Sequence, residues 1–112
     1  MGDTPKRMKR LVREYAGMAH DRELGQALLN LRREFDRWQQ GELTVVQLND
    51  AVHRFHEGPS REIWNRYTTN HGEPALACAV ATGIVRRDEL PPELLQHLAG
   101  WIEFYEAEEG TP

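Results

Sequence analysis

Apolar residues recur three and four positions apart along almost the whole chain, and no stretch alternates apolar with polar residues long enough to form a strand. Such a period lines side chains along one face of an α-helix. The expected fold class is therefore all-α: a bundle of five to six short-to-medium helices without a sheet. The 112 residues can close one hydrophobic core but not two, so residues 1–112 are read as a single helical domain, with 1–4 and 107–112 expected to fray.

The first forty residues set a problem of phase. Thr4 before Pro5 suits an N-cap and first helical position, opening a helix that carries Met8, Leu11, Val12, Tyr15 and Ala19 on one stripe. Leu24, Ala27, Leu28, Leu31, Phe35 and Trp38 form a second stripe. At 100° per residue the two stripes point roughly 150° apart, so one straight helix cannot aim both at the same core. A break between Gly17 and Asp21, with Asp21 as the new cap, is the expected solution. The alternative is a continuous helix whose first half faces something other than the core.

Residues 43–67 hold the most detailed local signals. Thr44 and Gln47 fit a capping box, and Leu43 and Leu48 occupy the positions of a hydrophobic staple. Leu48, Ala51, Val52 and Phe55 would be the buried face of the helix that follows. Gly58 and Pro59 read as its stop, with Ser60 as the next N-cap. Ile63, Trp64 and Tyr67 then mark a short helix ending at Asn70, His71 and Gly72. Glu73 and Pro74 open an Ala-rich segment, apolar nearly all round, that suits a central buried helix ending at Gly83. The last helix begins at Pro91 and Pro92, with Leu94, Leu95, Leu98, Trp101, Ile102 and Tyr105 on a broad stripe.

Composition narrows the function classes. The longest nearly apolar run, residues 74–85, falls well short of the roughly 20 residues that cross a bilayer. The basic start is followed by no apolar block, which speaks against a secretory signal, and a cytoplasmic location is expected. Cys78 is the sole cysteine, which excludes an internal disulfide and a Cys-cluster zinc site. Net charge is +3 over residues 1–40, zero over 41–87 and −7 over 88–112. The overall charge of −4 lacks the basic footprint of most nucleic-acid binders.

Three kinds of chemistry can be tested against the residues. His53 and His56, one helical turn apart, are the candidate metal ligands, but they have no His-Glu-x-x-His pattern and lie toward the polar side of their helix. No cofactor is expected. Ser60 is the only serine and sits outside any nucleophile elbow, and no glycine-rich phosphate loop is present, so no catalytic residue is assigned. A DNA-reading helix pair over residues 45–70, with Arg61 near the groove and Lys6, Arg10 and Arg13 on phosphates, is the second candidate. Its spacing is poor, because Ala51 is followed four positions later by Phe55 instead of Gly.

Binding to another protein, or to a second copy of the chain, is the remaining class and the favoured one. Trp38, Trp64, Trp101, Phe104 and Tyr105 are candidate anchors of types enriched at interfaces, although each also suits the protein's own core. The expected function is a non-enzymatic accessory or regulatory module. The DNA-binding regulator comes second and a metal-binding helical protein third.

Overall fold

A computed structural model describes residues 6–109, and these are helical almost throughout, with no strand among them. The all-α class is as expected, but the helix count differs. The described residues form three continuous helical stretches, 6–39, 45–81 and 92–109, besides one short 3₁₀ turn at Arg87–Glu89. The middle stretch comprises three α-helical segments, the first two joined by a π-helical turn and the last two by a kink at residues 69–72 that leaves the right-handed helical conformation. In chain order the helices are α1 (Lys6–Gln39), α2 (Val45–Phe55), α3 (Arg61–Thr68), α4 (Glu73–Ala81) and α5 (Pro92–Glu109). The expected Thr4 and Pro5 cap lies outside the described residues. α5 runs to Glu109, into the stretch expected to fray.

The expected break near Gly17 is absent: α1 is one helix of 34 residues. A glycine inside a helix costs only about 1 kcal/mol relative to alanine. Burial of Val12, Ala16 and Ala19, together with anchors at Arg22 and Glu23, outweighs that cost. The phase conflict is resolved differently from either expectation. The first half of α1 faces the main core, and the second half leaves it to pair with α2. The consequence is an elongated molecule, 60 × 32 × 22 Å, with a radius of gyration of 17.3 Å. A compact domain of this length would have about 13 Å.

The capping box at the start of α2 is present. The Gln47 N–H donates to Thr44 Oγ1 at 3.1 Å, and the Thr44 N–H donates to Gln47 Oε1 at 2.9 Å. Leu48 and Ala51 are buried, with Val52 and Phe55 half-buried beside them. The Gly58–Pro59 stop is not. Residues His56–Ser60 continue as a π-helical turn containing Pro59, and Ser60 has helical backbone angles and no capping hydrogen bond. Proline lacks an N–H and crowds the carbonyl four residues earlier; widening the turn accommodates both effects without ending the helix.

This wider turn also corrects the helix phase. In an unbroken α-helix Ile63 and Tyr67 would be rotated roughly 80–120° away from Phe55, whereas absorbing one residue brings both within about 20° of it. Ile63 and Tyr67 are indeed the buried residues of α3. Both α2 and α3 consequently lie along α1.

The chain reverses into α4 through three successive left-handed residues, Asn70, His71 and Gly72, with φ of 49°, 59° and 79°. Buried α4 contacts α1, α3 and α5, as its alanine-rich, all-round apolar sequence implies. Leu76 of α4 and Leu94, Leu98 and Ile102 of α5 are the largest fully enclosed side chains along with Val85. Each contributes about 1.5–3 kcal/mol by leaving water.

Gly72 is the tightest point of this reversal. A Cβ there would meet the Cβ of Ala16 at 3.0 Å and the Tyr67 carbonyl oxygen at 3.1 Å, on a backbone that L-residues rarely adopt. Gly72→Ala is expected to destabilise the protein by about 1–3 kcal/mol, measured as a lower urea midpoint with an unchanged slope.

Candidate interaction surface

Two neighbouring residues of α1 fix the point where it leaves the core. Arg22 donates two hydrogen bonds to the Glu89 carboxylate, at 2.9 and 2.6 Å, and a third to the Ile84 carbonyl at 3.1 Å. Glu89 also accepts from the Arg86 N–H at 2.8 Å. The Arg22 guanidinium and that backbone N–H hold the Glu89 carboxyl down to about 2. Glu23 reaches instead to α3. Its carboxylate accepts from the Tyr67 hydroxyl at 2.6 Å and pairs with Arg66 at 2.8 Å. The His20 ring stacks on Tyr67 at 4.9 Å between centroids.

The Glu23 cluster places a phenol against a carboxylate, and its electrostatics hold the proton on the phenol. Burial first, and then the Glu23 carboxylate, push the Tyr67 hydroxyl far above its ordinary value. The hydroxyl serves as a donor to Glu23. Burial likewise raises the Cys78 thiol, which disfavours the reactive thiolate.

Beyond these anchors, residues 24–55 form a two-helix arm made from the second half of α1, the turn at 40–44 and α2. Leu48 and Ala51 are buried outside the main core cluster, and α2 packs against α1. The arm has two unlike flanks. On one, Asn30, Glu34, Arg37 and Arg54 rim an open groove of about 500 Å³ that Leu31, Ala51 and Phe55 also line. Helical phase puts Leu28 and Phe35 of α1, with Val45 and Val52 of α2, on the other. Leu28 is 47% exposed, Phe35 42% and Val45 61%, while Trp38, near the end of α1, is 39% exposed.

The other candidate residues are dispersed. Lys6, Arg10 and Arg13 form an exposed basic row at the opposite end of α1 from the arm's tip. Arg61 is exposed on α3, as is Trp64, whose ring lies 6.4 Å from His20. Trp101 and Phe104 are exposed on α5 and make an edge contact with each other at 6.2 Å, with Tyr105 half-buried beside them. Trp64, Trp101 and Phe104 are thus not core residues, because their positions turn outward from the faces that neighbouring helices cover, and Trp38, near the end of α1, lies past the main core. His53 and His56 are both exposed, and among the described residues no three His, Cys, Asp or Glu side chains gather as a metal-binding set. No helix is long and apolar enough to cross a membrane among the described residues.

The anchors at Arg22 and Glu23 have no local signature, since their partners lie 43 to 67 positions along the chain. The exposed arm did have one: the second apolar stripe was out of phase with the first.

No protein-family model, curated protein or solved structure matches this chain.

The Arg22–Glu89 clasp gives a pH signature. A carboxyl held at about 2 when folded, against an ordinary 4.5, contributes stability that is present above about pH 4.5. That contribution is lost as pH falls toward about 2. Glu89→Gln is expected to be less stable than the wild type at pH 7, with the gap between their urea midpoints closing over this window.

Proposed function

We propose that the chain is a non-enzymatic helical protein that acts by protein–protein interaction, with the apolar flank of its arm as the docking surface. The observation that carries this reading is the exposure of Leu28, Phe35 and Val45 on two packed helices that extend past the core. Scattered apolar residues are ordinary on a protein surface, whereas several exposed on one flank of two packed elements mark a binding face. Large side chains on a rigid helical scaffold bind with little loss of conformational freedom. The perturbed groups that could suggest catalysis, Tyr67 and Glu89, are engaged in holding helices together.

A photo-crosslinking amino acid separates the two flanks in cells. Placed at Leu28 or Phe35 it is expected to capture a protein, and placed at Asn30 on the polar flank it is not. Equal or absent capture from all three positions contradicts the reading.

The DNA-binding alternative draws support from one feature, the exposed basic row of Lys6, Arg10 and Arg13. Binding through that row would weaken steeply with salt as counterions return to the phosphates. The protein-binding reading expects no such salt-dependent association with random duplex DNA; a steep fall in DNA affinity across a salt series favours the alternative.

A further inference from the structure

We infer that the occupant of the apolar flank is the same flank of a second copy of this chain, the two arms closing face to face as a four-helix bundle. The inference rests on the docking role proposed for the arm and names its partner.

The first support is the spacing along α1. Leu24, Leu28, Leu31, Phe35 and Trp38 alternate steps of four and three, the seam that packs helices side by side in bundles and coiled coils. Leu24 is half-buried against the main core cluster and Leu31 is half-buried beside Ala51 and Phe55 of α2, while Leu28 and Phe35 are left exposed. The arm is thus half of a bundle, and what completes a two-helix layer most directly is another layer of the same length. A second copy supplies one with the same seam and side-chain volumes.

Charge points the same way. Residues 24–55 hold four Arg, at 32, 33, 37 and 54, against Glu34, Asp36, Glu42 and Asp50, so the arm has no net charge with His neutral. Two copies meet there without net repulsion, and a strongly acidic or basic partner gains no general attraction to it. The charged ends of the chain lie outside the arm.

Size is the third support. From Leu24 to Trp38 the seam is about 21 Å long, and two packed helices are about 20 Å across, a projected footprint of about 400 Å² per copy. Interdigitation makes the accessible area larger than this projection, bringing the two faces together past the roughly 1,000 Å² expected of a specific interface. The association is isologous, with each copy presenting the same patch.

Light scattering after gel filtration of the full chain, with sedimentation velocity over a concentration series, reads the mass directly. The wild type is expected at twice its 13.0 kDa monomer mass. Phe35→Glu and Val45→Glu are expected to halve that mass with unchanged helical circular dichroism. Should either variant lose its helicity, the other decides, because Val45 sits at an exposed helix start. Asn30→Glu, on the polar flank, should remain dimeric. The dimer should also persist in high salt, since its interface is apolar. A wild type of monomer mass at every concentration overturns the inference, as does a dimer that either folded arm variant leaves intact or one that high salt dissolves. Crosslinking separates this failure from that of the docking role. Capture of a different protein from Leu28 removes the second copy and keeps the docking role, whereas no capture from either flank removes both.

Discussion

The arrangement of this molecule depends on two adjacent side chains, Arg22 and Glu23, that point about 100° apart around one helix. Arg22 clasps the loop leading into α5 through Glu89 and Ile84, and Glu23 clasps α3 through Tyr67 and Arg66. A long helix held on one side only could pivot; held on two, it leaves the core in a defined direction. The arm's position relative to the core follows from that pair. The Tyr67 hydroxyl is well suited to the task, because its surroundings keep its proton in place and the hydrogen bond intact.

The core itself is built around a helix of small residues. Ala75, Ala77 and Ala79 are buried on α4, and Ala16 and Ala19 are buried on α1. Small side chains let backbones approach closely, while Leu76, Leu94, Leu98 and Ile102 fill the remaining volume. The left-handed run at residues 70–72 belongs to the same economy of space. It turns the chain back within three residues, and Gly72 passes between Ala16 and the Tyr67 carbonyl where a Cβ would collide.

Features encoded over a few residues were legible in the sequence. The Thr44–Gln47 box, the alanine-rich central helix and the proline-led start of α5 all follow from local chemistry. The conflict between the two apolar stripes of α1 was legible too, but its resolution was not. Whether a glycine breaks a helix depends on what distant elements bury against it, and Arg22 and Glu23 find their partners far along the chain. Gly58 and Pro59 misled for a related reason. Read locally they end a helix; in the folded chain the apolar residues on both sides of them seek the same face of α1, and a wider turn satisfies both. The outward aromatics, Trp64, Trp101 and Phe104, were ambiguous because helical period identifies a face without saying whether a neighbour covers it.

The π-helical turn at residues 56–60 bears on how this chain tolerates changes in length. Between Leu48 and Tyr67 the chain contains one residue more than an α-helix with both buried faces in register would need, and the turn is where the surplus is stored. A one-residue deletion inside almost any helix swings everything beyond it by about 100° and misaligns its buried side chains. Within residues 56–60 the same deletion leaves Ile63 and Tyr67 aimed at α1, with a regular helix in place of the wide turn. A homologue of this fold shorter by one residue can therefore be accommodated there without repacking the helices on either side.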